Sequence, residues 1–145
     1  MGHSIARILL AEDNPGDVLL VKRALEVHRV ECQLRVVRDG DAAMAFISQI
    51  GSSSDFPCPD VLLLDVNLPK SNGIEVLKVF RNHPACESTP VIVVSSSDAP
   101  IDRDRVAQLG VYRYFRKSTD LRAYMELGVV VNAAIAAHRA GRQRF

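Results

Sequence analysis

The chain of 145 residues carries no disulfide or metal-ligand pattern. Cysteine occurs three times, at Cys32, Cys58 and Cys86, widely spaced and without a CxxC pair. An odd, scattered count favours reduced thiols and a cytoplasmic setting. The four histidines, His3, His28, His83 and His138, are equally dispersed, so the ligand spacing of a zinc site is missing. Neither sign of charge dominates. Eighteen Lys and Arg face 17 Asp and Glu, a net charge of +1, which removes the electrostatic footprint of a nucleic-acid-binding domain. No apolar run approaches the roughly 18 residues of a membrane span. The segment Met1-Gly2-His3-Ser4 is too short for a signal peptide before strand-like sequence begins. There is no internal repeat, and the only low-complexity tract is Ser52-Ser53-Ser54.

What remains is ordinary globular composition, 48% apolar and 24% charged. It implies a single domain over residues 1–145, large enough to bury a core without staples. Short apolar runs alternate with helical patterns. Arg7 to Ala11 reads as a buried strand. Asn14-Pro15 reads as a helix cap followed by proline at the first helical position, and Val18, Leu19, Val21, Ala24 and Leu25 follow as an apolar stripe. Leu34 to Val37 forms a second strand, ended by Asp39-Gly40, and Ala42 to Ile50 a second helix. After a polar loop over 51–59, longer than most, Asp60 to Asp65 is an apolar run framed by two acids. That is the pattern of a strand buried on both faces. A helix from Gly73 to Asn82 follows, then a strand over Pro90–Val94. A helix runs from Pro100 to Leu109, with Gly110 in the C′ position. An edge strand over Val111–Arg116, guarded by Arg113 and Arg116, comes next. Ser118 caps a final helix, with Asp120 favourable to its dipole. Five strands alternating with five helices predict an α/β fold with a doubly wound parallel sheet. Ligands of such folds bind beyond the carboxyl ends of the strands, where strand order reverses.

At those ends the sequence places Glu12-Asp13, Asp65, Ser95 and Arg116-Lys117. Three carboxylates together repel one another unless a cation intervenes. Oxygen ligands without sulfur or imidazole favour Mg²⁺. Lysine and metal beside a carboxylate suit a phosphoryl group, whose oxygens need neutralising. Taken singly, each residue has a plainer explanation: a solvated helix entry for Glu12-Asp13, a capping acid for Asp65, a turn hydroxyl for Ser95, a surface charge for Lys117 and, for Tyr114 on the fifth strand, a packed aromatic. The ordered set is harder to explain that way.

The set resembles the receiver domain of bacterial two-component signalling, the CheY-like family. It does so through Glu12-Asp13, Asp65-Val66-Asn67-Leu68-Pro69 with Gly73 beyond, Ser95 and Lys117. Ser95 stands 30 residues after Asp65, and Lys117 stands 22 after Ser95. The resemblance covers about residues 5–138 and leaves a basic tail over 139–145. It implies strand order 2-1-3-4-5 in a flavodoxin-like three-layer sandwich. It implies Asp65 as phosphoacceptor, and Mg²⁺ on Asp13, Asp65 and the Asn67 backbone carbonyl, with Glu12 acting through water. It implies Lys117 on a phosphoryl oxygen, Ser95 as the switch hydroxyl and Tyr114 as the switch aromatic. A partner histidine kinase would supply the phosphoryl group, and the domain would be a switch rather than an enzyme. Two departures stand out. Ser118 replaces the proline that usually follows the lysine, so a trans Lys117–Ser118 bond is expected, and Ser95 replaces the commoner threonine. The long 51–59 loop and the Asn14-Pro15-Gly16-Asp17 turn resemble the small regulators paired with bacterial phytochromes, which points to a phytochrome kinase as partner.

No output domain is expected beside the receiver, so output is expected by protein contact, by dimerisation or by passing the phosphoryl group onward. Gly128 to Ala137 is apolar almost all round, which suggests a homodimer built from helix four, strand five and the last helix. Arg139, Arg142 and Arg144 read as a solvated tail rather than a nucleic-acid site. Two other functions stay open, a degenerate receiver serving as a scaffold and a Mg²⁺-dependent aspartyl phosphatase. Asn67 speaks against the second, because such enzymes place a general acid two residues after the nucleophile. A flavin-binding relative is a third possibility, and the acidic rim would repel the cofactor's phosphate.

Overall fold

The computed structural model describes residues 5–68, 70, 72–96 and 100–142. Strands β1 (Ala6–Ala11), β2 (Cys32–Val37), β3 (Val61–Leu64), β4 (Val91–Ser95) and β5 (Arg113–Arg116) form one sheet. Its order is β2-β1-β3-β4-β5 and every pairing is parallel, as expected. Helices α1 (Pro15–Val27), α2 (Gly40–Gln49), α3 (Gly73–Asn82), α4 (Pro100–Ala107), α5 (Leu121–Met125) and α6 (Leu127–Arg142) complete the elements, with a 3₁₀ turn at Pro84–Cys86.

The period of two along a strand divides the core between the two faces of the sheet. Leu9, Ala11, Leu62, Leu64, Val91 and Val93 face α2 and α3, where Ile47, Leu77 and Phe80 cover them. Ile8, Leu10, Val61, Leu63, Ile92 and Val94 face α1, α5 and α6, where Val21, Tyr124, Leu127 and Val131 cover them. Covering on both sides is why β3 and β4 read as unbroken apolar runs. β5 lies at the edge, with Arg113 and Arg116 exposed.

Asn14 caps α1 as expected, its side chain accepting from Gly16 N at 2.8 Å and Asp17 N at 3.1 Å. Several boundaries differ from the sequence expectation. β2 begins at Cys32 rather than Leu34. Asp39 accepts from Ala42 N at 2.7 Å, so α2 starts at Gly40. The side-chain bond satisfies a helix-end donor that a bare turn would leave open. The final helix is in two pieces with a break at Glu126, and Asp120 rather than Ser118 caps the first piece, accepting from Arg122 N at 3.0 Å. The Ser118 hydroxyl instead accepts from Asp120 N at 3.0 Å. α4 ends at Ala107 rather than Leu109, so Gly110, left-handed with φ +70°, stands three residues past the helix end rather than at C′. Among the described residues no peptide bond is cis. Arg144 lies outside the described residues, as does the rest of the expected tail beyond position 142.

The expectation of three reduced thiols is corrected. Cys58 and Cys86 form a disulfide with Cα atoms 5.7 Å apart, and only Cys32 is free. A separation of 28 residues and the absence of a motif hid the pair. The fold brings the loop before β3 against the turn after α3.

Candidate phosphoryl and cation site

The order reverses between β1 and β3, so the crevice of this sheet opens beyond their carboxyl ends. Backbone ladders run one residue past the strands and fix the rim. Glu12 N donates to Val37 O at 3.0 Å, Asp65 N to Ala11 O at 3.0 Å, and Lys117 N to Ser95 O at 2.8 Å. Four distant stretches of chain thereby bring their functional residues to one rim. Gly73 makes the close approach of α3 possible. A Cβ there would collide with the Val66 backbone and lie 2.7 Å from the Asp65 carbonyl oxygen.

Glu12, Asp13 and Asp65 each offer an oxygen within 4.8 Å of the others. Glu12 and Asp65 are buried, 1% and 6% exposed, whereas Asp13 faces solvent. Lys117 Nζ lies 2.8 Å from Glu12 Oε1, 2.9 Å from Asp17 Oδ2 and 3.1 Å from Asp65 Oδ2. The other oxygen of Asp65 accepts from Asn67 N at 2.9 Å. Ser95 is fully buried at the end of β4, and Asn67 Nδ2 approaches its hydroxyl at 3.5 Å. Tyr114 is half-buried on β5, with the Arg103 guanidinium of α4 4.8 Å from its ring centre.

Burial raises the Glu12 carboxyl from 4.5 to about 7, with the Asp65 charge adding to it, although Lys117 and Asn14 N donate to the group. Burial alone would pull the Lys117 ammonium down. Its bonds to Glu12 and Asp17 and the field of Asp65 more than offset that and hold it above an ordinary lysine. The donor set is oxygen only and carries excess negative charge, which suits a hard divalent cation that keeps several waters.

Every residue expected at the site is on this rim or, for Tyr114, on the strand leading to it. Sequence reasoning missed Asp17 and Tyr124. Tyr124 O–H donates to Asp17 Oδ1 at 3.2 Å. The first-turn acid of α1, three residues after the Asn14 cap, was a readable hint for Asp17. Tyr124 carried none, because its spacing reads as a core aromatic.

An acidic crevice with a lysine, set at the reversal of a doubly wound sheet, is the arrangement that the resemblance to a signalling receiver domain implies. The chain belongs to the response regulator receiver domain family, whose model matches residues 8–127. It is 39% identical over 115 residues to response regulator Rcp1 of Synechocystis sp., covering 79% of this chain and 78% of that one. The phosphorylated cyanobacterial phytochrome response regulator RcpA superposes with a TM-score of 0.79 at 35% identity, over 89% of this chain and 92% of that one. The Mn²⁺-bound form of Rcp1 gives 0.77 at 35% identity, over 88% and 92%. The chain is thus a receiver domain related to phytochrome response regulators. Among the described residues no helix is long and apolar enough to cross a membrane.

Proposed function

We propose that this domain accepts a phosphoryl group on Asp65 from the phosphohistidine of a partner kinase and switches its protein contacts in response. One observation carries the reading. The Asp65 carboxylate is gripped by Lys117 at 3.1 Å and Asn67 N at 2.9 Å, in a crevice it shares with Glu12 and Asp13. Asp65 forms the new O–P bond as the P–N bond of phosphohistidine breaks and the imidazole leaves, taking a proton. The residues that would hold a divalent cation are Asp13, Asp65 and the Asn67 carbonyl, with Glu12 through water. Bound there, such a cation would supply charge neutralisation for the transferring phosphoryl oxygens.

Lys117 already points at the acceptor carboxylate, so it meets a phosphoryl oxygen with little rearrangement. The Ser95 hydroxyl at the end of β4 donates to another, and the movement frees Tyr114 on the neighbouring strand to turn. The added charge and acceptor oxygens are the differential contact that biases the two states. Asn67 carries an amide where an aspartyl phosphatase keeps a general acid, so turnover of external phosphate esters is disfavoured. Likeness to RcpA and Rcp1 supports a phytochrome-linked histidine kinase as partner. The outer face of α6, where Val129 is 46% exposed beside exposed Ala133, Ala136 and Ala137, supports a homodimer through α4, β5 and α6.

The test is incubation with acetyl phosphate and Mg²⁺ followed by intact mass. Wild type gains one phosphoryl mass and Asp65→Asn gains none. Labelling that persists in the variant, or a scaffold that never labels, defeats the reading.

A further inference from the structure

The resemblance gave Asp17 a place in a turn but no role, yet it is tied by both carboxylate oxygens. Oδ2 accepts from Lys117 Nζ at 2.9 Å and Oδ1 from Tyr124 O–H at 3.2 Å. The three residues come from the first turn of α1, the segment after β5, and α5.

The geometry of the ammonium makes this a matter of aim. Lys117 has three N–H donors and three carboxylate partners, Glu12, Asp17 and Asp65. A lysine stem of four methylenes does not fix its own end. Ser118 follows it, so no pyrrolidine ring restrains the next backbone φ. Tyr124 can supply the restraint. It is 1% exposed, and its ring meets Phe115 of β5 edge-on, with centres 6.2 Å apart. Asp17 is held by that fixed hydroxyl and by the favourable N-terminal end of α1.

We propose that Asp17, braced by Tyr124, is a positioning residue that aims the Lys117 ammonium at Asp65 and so sets the rate of phosphoryl transfer. The inference rests on Asp65 being the phosphoacceptor. A role confined to joining α1 to α5 would act on stability and not through the lysine.

Asp17→Asn separates the two. The amide has nearly the same shape but no charge: its oxygen can accept from Lys117 and its NH2 can donate to Tyr124 Oη, so what is lost is the ion pair that holds the ammonium. At saturating Mg²⁺, the acetyl phosphate labelling rate should fall about tenfold, the worth of one charge-assisted hydrogen bond. Tyr124→Phe should show a smaller loss in the same direction. In a Lys117→Ala background, Asp17→Asn should change the rate by less than about twofold, because the two residues act as one unit. An unchanged rate in the single variant, or an equal loss in both backgrounds, overturns the proposal.

A second readout needs no phosphorylation. With ¹⁵N-lysine labelling at low temperature, the Lys117 ammonium should give a protected signal in wild type that Asp17→Asn loses. A signal that survives the substitution overturns the proposal. If wild type takes no phosphoryl group, the function assigned to Asp65 fails, and the ammonium signal still decides the role of Asp17.

Discussion

Replacing Glu12 by Gln should reverse a stability cost that wild type carries at neutral pH in the absence of metal. The Glu12 carboxyl is buried beside Asp65, and burial raises it from 4.5 to about 7. Below 4.5 the folded and unfolded chains both hold this proton. Between 4.5 and about 7 the folded chain keeps it and the unfolded chain has released it, so rising pH favours unfolding. Above about 7 the penalty is complete. A gap of this size corresponds to at most ~3 kcal/mol, or roughly 3 °C of Tm per kcal/mol for a domain of this length. Gln keeps an oxygen for the Lys117 bond and cannot ionise. Urea and thermal unfolding of both proteins in EDTA, from pH 5 to pH 8, provide the assay. The stability of Glu12→Gln relative to wild type should rise by about 1–3 kcal/mol across that range. Other titrating groups largely cancel in the difference. A difference that stays flat with pH, or that moves the other way, refutes the burial argument. Added Mg²⁺ should shrink the gap by stabilising wild type, since a bound cation favours the ionised carboxylate.

Two further perturbations probe the frame around the site. Gly73→Ala drives a methyl into the Val66 backbone and the Asp65 carbonyl. Backbone yields less readily than a side chain, so urea melts should show a loss of about 3 kcal/mol despite alanine's better helix propensity, with slower labelling of Asp65. Stability equal to wild type would show that α3 can retreat freely. The Cys58–Cys86 link closes a loop of 28 residues, worth roughly 3–4 kcal/mol on the chain-entropy account. Alkylation of denatured, unreduced protein should label Cys32 alone, and reductant should lower the unfolding midpoint and expose all three thiols. Three labels without reductant would disprove the link.

How much was readable varies by residue, for physical reasons. The β3 run was legible because a strand covered on both faces must be apolar throughout. Asn14-Pro15 was legible because a cap and a first-position proline act locally. The start of α2 was misplaced because Asp39-Gly40 has the composition of a turn and of a capped helix entry alike. The last helix broke at Glu126 where the apolar pattern showed no interruption. At the site, Asp65, Ser95 and Lys117 were found through order and spacing. Asp17 was visible as a residue but its contact with Lys117 was not, for 100 positions separate the two.

By itself the sequence determined which residue types stand at the strand ends and that the strands need cover on both sides. Both follow from local pattern, because burial acts on each side chain as it meets solvent or core. Tertiary structure alone decided which carboxylates share the lysine, that Cys58 meets Cys86, and that Gly73 must stay bare. Such pairings depend on distances between segments far apart in the chain, and those distances exist only once both faces of the sheet are packed.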